Sequence, residues 1–323
     1  MGSAASHILP PSDPGNPEGD SVREFKALFR SLDVEAEWLE PMSRHTTFRI
    51  GGPVACLVRP LDEASLAKAL GELKRLGLPH FILGAGSNIL PPDDPWDVAA
   101  VQLTRSCSDI VPIEEHGDRV RVRVGAGGML SRLLRFCVRH QLGGIEFLAG
   151  IPGTVGGAVV MNAGTKRGCI GEALLWVDVL DGNGRRHRLE KSRLSVSYRS
   201  LGLPPDAVVL GACLDLRRSV GAKLRGELLE ILRHRRATQP LGYPSAGCIF
   251  KNPPGASAGA LIEQVGLKGW KVGGAQISEK HANWIVNLGK ARAEEVLALV
   301  EEAEKRVFEA FGLRMEREIR ILG

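Results

Sequence analysis

An α+β assembly of two or three domains is the fold class that the sequence predicts, and three observations predict it. At 323 residues the chain exceeds the roughly 100–200 residues of one ordinary domain. Apolar patterns of period two and of period 3.6 both occur along it. They do not follow one another in steady βα alternation, which disfavours a plain doubly wound parallel sheet.

The elements follow in chain order. Residues 1–21 hold Pro10, Pro11, Pro14, Gly15, Pro17 and Gly19 without a basic start or an apolar core. They match no secretory signal and predict a disordered tail. Val54–Pro60 reads as a strand. Asp62 then precedes Leu66, Ala69, Leu70 and Leu73 at helical spacing, with Gly77 and Pro79 beyond, so cap, stripe and stop agree on a helix. Phe81–Leu83 reads as a strand and completes a βαβ-like unit. Pro91–Trp96 breaks the pattern and is a candidate boundary.

Arg119–Val124 alternates strictly, putting Val120, Val122 and Val124 on one face of a strand and the arginines on the other. Met129–His140 predicts a helix with Leu130, Leu133, Leu134 and Cys137 inward and Arg132, Arg135 and Arg139 outward. Asp181–Gly184 marks a hairpin turn between Trp176–Leu180 and Arg185–Leu189. Val208–Leu216 is apolar enough for a central strand, and Arg217–Gly221 is a second candidate boundary. Leu224–Arg236 returns to a helical pattern. Ala291–Phe311 is the longest helix, with Val296, Leu299, Val300, Ala303 and Val307 as its stripe and Gly312 as its stop, and Arg314–Leu322 reads as extended.

Composition narrows the function classes. Apolar residues make up 44% and charged residues 24%, and no run approaches the roughly 20 apolar residues of a membrane span, so a soluble protein is expected. Net charge is +5, which favours anionic ligands. The basic residues are scattered among few aromatics, which gives no basis for a nucleic-acid partner. Cys56, Cys107, Cys137, Cys169, Cys213 and Cys248 form no CxxC pair and no zinc-ligand spacing. Reduced thiols, a cytoplasmic location and no metal are expected.

Glycine concentrates in Gly84-Ala-Gly-Ser-Asn88, in Gly125-Ala-Gly-Gly128 and in Gly150–Gly157 running on to Asn162-Ala-Gly164. Each turn alone reads as a tight loop of a compact fold. Together they suggest a large phosphate-bearing ligand such as a dinucleotide, because backbone N–H groups without a Cβ approach phosphate oxygens closely. Neither GxGxxG nor GxxxxGK[ST] is present, so the Rossmann fingerprint and the P-loop are both excluded. In Ser245-Ala-Gly-Cys-Ile-Phe-Lys-Asn-Pro253, Cys248 reads as a nucleophile, a proton donor or a small buried hydrophobe. Arg199 in Ser197-Tyr-Arg199 offers a guanidinium fork for a carboxylate or phosphate, or else a surface ion pair. Glu318 sits among apolar neighbours in Met315–Ile321, either exposed or held inward as an acid.

Six motifs occur in a recognisable order: His45-Thr-Thr-Phe-Arg-Ile-Gly-Gly-Pro53, Leu83–Asn88, Gly144–Gly157, Ser197-Tyr-Arg199, Ser245–Pro253 and Gly274-Ala-Gln-Ile-Ser278, with Glu-Ile-Arg near the C-terminus. Over about residues 22–323 the chain resembles the UDP-N-acetylenolpyruvoylglucosamine reductase (MurB) family, in its shorter subgroup without a substrate-covering tyrosine loop. The resemblance implies a three-domain FAD-binding fold of the vanillyl-alcohol-oxidase type with a C-terminal substrate-binding domain. Its parts would be FAD-binding subdomain 1 over 22–95, closed by the C-terminal strand 313–323, FAD-binding subdomain 2 over 96–219, and the substrate-binding domain over 220–312. Non-covalent FAD would be held by Arg49, Gly51, Gly52, Gly84, Gly86, Ser87, Asn88, Gly150, Gly153, Thr154, Gly156, Gly157 and Asn162.

The implied reaction belongs to peptidoglycan precursor synthesis and has two hydride steps. NADPH reduces FAD and leaves. UDP-N-acetylglucosamine enolpyruvate then enters the same cleft and is reduced to UDP-N-acetylmuramate. Arg199 and Glu318 match the family positions that bind the substrate carboxylate, Glu318 helping only if protonated or bridged by water. Cys248 falls where many members carry a proton-donating serine. Tyr198, Gln239, Lys251, Asn252, Gln276 and Ser278 match substrate-binding positions, whereas His281 and Trp284 read better as packing residues. Thr165–Ile170 departs from the family pattern close to the expected flavin. A monomer is the family default. The rival reading is another FAD-dependent oxidoreductase of this fold, an alcohol or hydroxy-acid oxidase, against which Ser245–Pro253 and Glu318 argue.

Overall fold

The structure is a computed structural model that describes Phe29, Leu32 and residues 34–323. The tail expected over 1–21 lies outside the described residues. The chain divides into two compact units. The first comprises the described residues through Glu40 together with Val54–Ala85 and Asp97–Ile231; the second comprises Pro41–Pro53, Gly86–Trp96 and Leu232–Gly323.

In the first unit, β1 (Val34–Pro41), β2 (Pro53–Pro60), β3 (His80–Leu83) and β4 (Trp96–Gln102) form a sheet of order β1-β2-β4-β3. Helix α1 (Glu63–Arg75) follows β2 and begins where the sequence predicts. The Asp62 carboxylate accepts from the Ser65 N–H at 2.7 Å, and Ser65 Oγ accepts from the Asp62 N–H at 3.0 Å. The βαβ-like reading is modified by β4, which lies between β2 and β3 and pairs in parallel with β3 from His80↔Ala99 to Leu83↔Gln102. Its Trp-Asp-Val-Ala-Ala-Val-Gln sequence carries little strand propensity. Burial of Val98–Gln102 makes it one.

The second sheet of this unit contains β5 (Ile110–His116), β6 (Arg119–Gly125), β7 (Leu174–Leu180), β8 (Arg186–Glu190) and β9 (Val208–Arg218), in the order β8-β7-β9-β6-β5 and antiparallel throughout. β9 is central, as its apolar run predicts. On β6 the alternation holds, with Val120, Val122 and Val124 in the core. Helix α2 (Leu130–His140) buries Leu130, Leu133, Leu134 and Cys137 and ends on Gln141 in the left-handed region. After it come the short helix α3 (Val155–Val160) and, past β9, helix α4 (Gly221–Thr238), which starts three residues before the expected Leu224. Leu66, Leu73, Val101, Leu148, Val177 and Leu214 belong to one hydrophobic core.

The second unit has its own core, which includes Phe48, Ile50, Ile249, Phe250 and Ile262 and the stripe Val296, Leu299, Val300, Ala303 and Val307. That stripe is the inner face of α6 (Ala293–Phe311), which follows α5 (Ala258–Gln264) and a three-stranded antiparallel sheet of β10 (Lys271–Val272), β11 (Ala275–Ile277) and β12 (Ile285–Asn287). Gly312 ends α6 at φ +67°. The extended C-terminus contributes one short strand, Arg320–Ile321, pairing in parallel with Ile89–Leu90. Long-range bonds draw Pro41–Pro53 and Gly86–Trp96 into this unit. The Ser245 N–H donates to Thr47 O at 3.1 Å, the Arg320 N–H to Asn88 O at 3.0 Å, and the Ala293 N–H to the Asp93 carboxylate at 2.7 Å.

Candidate active site

Three glycine-rich segments meet in the first unit. Gly125–Gly128 leaves β6, Gly150–Gly157 leads into α3, and their backbones interlock. The Gly156 N–H donates to Ala126 O and the Val155 N–H to Gly128 O, both at 2.8 Å, and the Leu130 N–H donates to Gly153 O at 3.0 Å. Gly84, just past β3, approaches the same place, and a Cβ there would lie 2.7 Å from Thr154 Oγ1. Gly150 and Gly153 hold φ of +74° and +147°, conformations that favour glycine. Thr154 is buried and its Oγ1 accepts from the Gly157 N–H at 3.3 Å. Gly84, Gly150, Gly153, Thr154, Gly156 and Gly157 thus form one packed set of backbone with few side chains on it. That arrangement fits the phosphate-bearing part of FAD.

The same unit carries Tyr198 and Arg199. Tyr198 is exposed, and the guanidinium carbon of Arg199 lies 5.0 Å from its ring centroid. Nη1 of Arg199 donates to Gly164 O at 3.0 Å. Asn162 is buried in the segment just before Gly164.

In the second unit, Thr47 joins the two stretches expected to touch the flavin to the loop that carries Cys248. Its N–H donates to Gly86 O at 3.0 Å and its Oγ1 to Ser245 O at 2.7 Å. Gly86 has φ +60°, and a Cβ on it would meet His45 O at 2.0 Å. Gly51 has φ +126° and packs on Met42 and Pro91; Gly52 lies against Asp93. Arg49 is exposed and Ser87 half-buried. Asn88 Nδ2 donates to Glu318 O at 3.0 Å, bringing the expected flavin loop against the C-terminal segment.

Cys248 and Glu318 come together in this unit. Cys248 bridges Trp284 on one side of its strand-like segment, while the next residue, Ile249, accepts from the Glu318 N–H at 2.7 Å on the other. Asn283 clamps the segment. Its Oδ1 accepts from the Phe250 N–H at 2.9 Å and its Nδ2 donates to Phe250 O at 2.7 Å. Arg235, near the end of α4, interacts electrostatically with Cys248. Burial holds the Arg235 guanidinium below its ordinary pKa, and the neighbouring Cys248 works in the opposite direction. Nε of Arg235 and Oε1 of Gln239 are buried without a hydrogen-bond partner, polar atoms that suit a polar ligand.

The remaining expected substrate residues all fall in the second unit, and several have local partners. Lys251 pairs with Glu316. Asn252 Oδ1 accepts from the Ala258 N–H at 3.0 Å at the start of α5. Gln276 Nε2 donates to Gly269 O at 3.0 Å, and Ser278 Oγ accepts from the Lys280 N–H at 3.1 Å. Burial lowers the pKa of His281, which favours its neutral form and agrees with a packing role. Thr47, Asn283 and Arg235 are the residues that sequence reasoning missed. Thr47 and Asn283 lie inside stretches whose neighbours drew attention, but only the tertiary bonds distinguish them.

Comparison with known proteins covers both halves of the chain. The family described as "UDP-N-acetylenolpyruvoylglucosamine reductase, C-terminal domain" matches residues 239–322, and the family described as "FAD binding domain" matches residues 54–190. The chain is 53% identical over 318 residues to a UDP-N-acetylenolpyruvoylglucosamine reductase of Syntrophobacter fumaroxidans, covering 95% of this chain and 92% of that one. With the enzyme of that name from Moorella thermoacetica the identity is 45%, covering 92% and 96%. Among solved structures, the UDP-N-acetylenolpyruvylglucosamine reductase of Thermus caldophilus superposes with a TM-score of 0.73 at 36% identity, covering 90% of this chain and 99% of that one.

Proposed function

The chain belongs to the UDP-N-acetylenolpyruvoylglucosamine reductase family, and from that premise we propose how its residues divide the work. It is an FAD-dependent oxidoreductase, a UDP-N-acetylmuramate dehydrogenase that uses NADPH to reduce the enolpyruvyl group of UDP-N-acetylglucosamine enolpyruvate in peptidoglycan synthesis. The fold is α+β, with an FAD-binding part of the vanillyl-alcohol-oxidase type and a C-terminal substrate-binding domain. When bound, FAD carries hydride equivalents from NADPH to the terminal carbon of the enol ether.

The single observation that carries the assignment of roles is the pairing of the Cys248 segment with Glu318 through the 2.7 Å bond between Glu318 N–H and Ile249 O. Hydride arrival at the terminal carbon develops negative charge on the adjacent carbon and on the substrate carboxylate. Arg199 supplies positive charge to that carboxylate, and Glu318 helps to orient it only when protonated or bridged by a water. Cys248 gives the proton that quenches the carbanion. An ordinary thiol, with a pKa of about 8.5, is mostly protonated at neutral pH and is a far stronger acid than an alcohol.

Arg49, Gly51, Gly52, Gly84, Gly86, Ser87, Asn88, Gly150, Gly153, Thr154, Gly156 and Gly157 serve the flavin, whereas the side chain of Asn162 is taken up by the Gly171 N–H and Ser197 O. Tyr198, Gln239, Lys251, Asn252, Gln276 and Ser278 serve the sugar nucleotide. NADPH and the sugar nucleotide use one cleft in turn, and the protein acts as a cytoplasmic monomer. Among the described residues no helix is long and apolar enough to cross a membrane. Residues 22–95 and 96–219 act as two FAD-binding subdomains, the first closed by 313–323, and residues 220–312 as the substrate-binding domain.

The test is anaerobic reduction of the purified flavoprotein by NADPH, followed by addition of UDP-N-acetylglucosamine enolpyruvate while the visible flavin absorbance is monitored. Rapid reoxidation is expected. A flavin that NADPH reduces but this substrate leaves reduced would move the assignment to another oxidoreductase of the fold.

A further inference from the structure

The turn that carries Arg199 is hydrogen-bonded to the stretch Asn162-Ala-Gly164. Arg199 has φ +60°, a left-handed conformation that a non-glycine residue keeps only when its surroundings hold it there. Two backbone bonds close the turn around it, the Ser197 N–H to Ser200 O at 2.9 Å and the Ser200 N–H to Ser197 O at 3.2 Å. Two further bonds tie it down. Asn162 Nδ2 donates to Ser197 O at 2.8 Å, and Arg199 Nη1 donates to Gly164 O at 3.0 Å. One bond fixes the backbone on which the arginine stands and the other fixes the guanidinium.

The anchor is itself rigidly placed. Asn162 is 4% exposed, and its Oδ1 accepts from the Gly171 N–H at 3.0 Å. Gly171 is where this contact needs the absence of a side chain, since a Cβ there would fall 2.8 Å from that Oδ1. Between the two anchoring residues, the Ala163 N–H donates to Ala158 O at 2.8 Å and Ala163 O accepts from the Ile170 N–H at 2.9 Å. Asn162 has φ +41°, which asparagine tolerates better than most residues.

We propose that Asn162 is a positioning residue for Arg199, a brace that sets where the guanidinium meets the substrate carboxylate. This inference rests on the substrate-binding reading of Arg199. Small errors in the position of a charge-stabilising group cost up to roughly a hundredfold in rate, so the brace acts on the half-reaction in which that charge develops and leaves the other alone.

Asn162→Gly is the direct test, because glycine keeps the left-handed backbone without strain and deletes only the side-chain bonds. Asn162→Asp is the second variant; it keeps the acceptor for Gly171 and sets an oxygen against Ser197 O. Both are compared with the parent for FAD content, for reduction by NADPH, for reoxidation by UDP-N-acetylglucosamine enolpyruvate, and for equilibrium binding of that substrate to the oxidised protein. The expected result is full FAD content, NADPH reduction within about twofold of the parent, substrate binding weakened and reoxidation slowed by roughly ten- to a hundredfold. In the Arg199→Met background, Asn162→Gly should add little, because the group it positions is gone. Loss of FAD, equal slowing of both half-reactions, or multiplication of the two effects in the double variant would overturn the positioning role. Arg199→Met measured alone separates the two claims. If it reoxidises normally, the Arg199 assignment falls and the brace with it, whereas a slow Arg199→Met with a multiplicative double variant overturns only the brace.

Discussion

A thiol at the proposed proton-donating position makes Cys248 the most testable residue of the chain. Cys248→Ala should slow reoxidation of the reduced flavin by substrate by roughly 10²–10⁴-fold with NADPH reduction nearly unchanged, read by stopped-flow absorbance. Cys248→Ser should retain substantial activity, and a serine variant as slow as alanine would argue against proton donation. The geometry around Cys248 depends on Asn283, whose side chain satisfies both backbone groups of Phe250. Asn283→Ala leaves a buried donor and a buried acceptor unpaired, an expected loss of about 2–4 kcal/mol in denaturant unfolding. At this scale the sequence singled out Cys248, Arg199 and Glu318 by residue type and by the motifs that carry them. It was silent on Asn283, Thr47 and Arg235, because an asparagine, a threonine or an arginine in a loop looks the same whether its partner is water or a buried peptide group.

Among the elements, those with a strong period were readable from the chain alone, and β6, α1, α2 and α6 lie within a residue or two of their predicted bounds. The hairpin at Asp181–Gly184 is equally local. The Asp181 carboxylate accepts from the N–H groups of Asn183 and Arg185 at 2.9 Å each and pairs with His187, and these bonds hold its pKa down to about 2. Elements such as β4, β5 and α5 were not read, since burial makes β4 a strand, pairing with β6 makes the exposed β5 one, and α5 is only seven residues long. The central strand β9 is the one whose loss should matter most to the first unit. Leu214 is fully buried in it, so Leu214→Ala should cost about 2–5 kcal/mol. Val111→Ala on the exposed edge strand β5 should fall within about 0.5 kcal/mol of the parent. Equal midpoints for the two variants in urea unfolding would show that β9 is not central to stability.

Across the whole molecule, burial of thiols ties stability to alkaline pH. Burial pushes Cys56, Cys137 and Cys213 up to about 12. Below an unfolded-state thiol pKa of about 8.5 both states are protonated and no stability is lost. As pH rises from there toward 12, the unfolded chain releases these protons while the folded chain keeps them, so stability falls by up to about 1.4 kcal/mol per pH unit for each thiol. Melting curves at pH 8, 9 and 10 should therefore fall more steeply for the parent than for Cys137→Ala, and parallel slopes would refute the linkage. The sequence by itself determined the α+β class and the strongly periodic elements, which rest on local spacing, and the family, which rests on motif order and whose resemblance implies the flavin chemistry. Tertiary structure alone decided that Pro41–Pro53 and Gly86–Trp96 join the C-terminal unit, that β4 separates β2 from β3, and that Asn162 braces the Arg199 turn. Each of these is a hydrogen-bonded pairing between residues distant in the chain, and no periodicity along one segment encodes which remote backbone group will meet it.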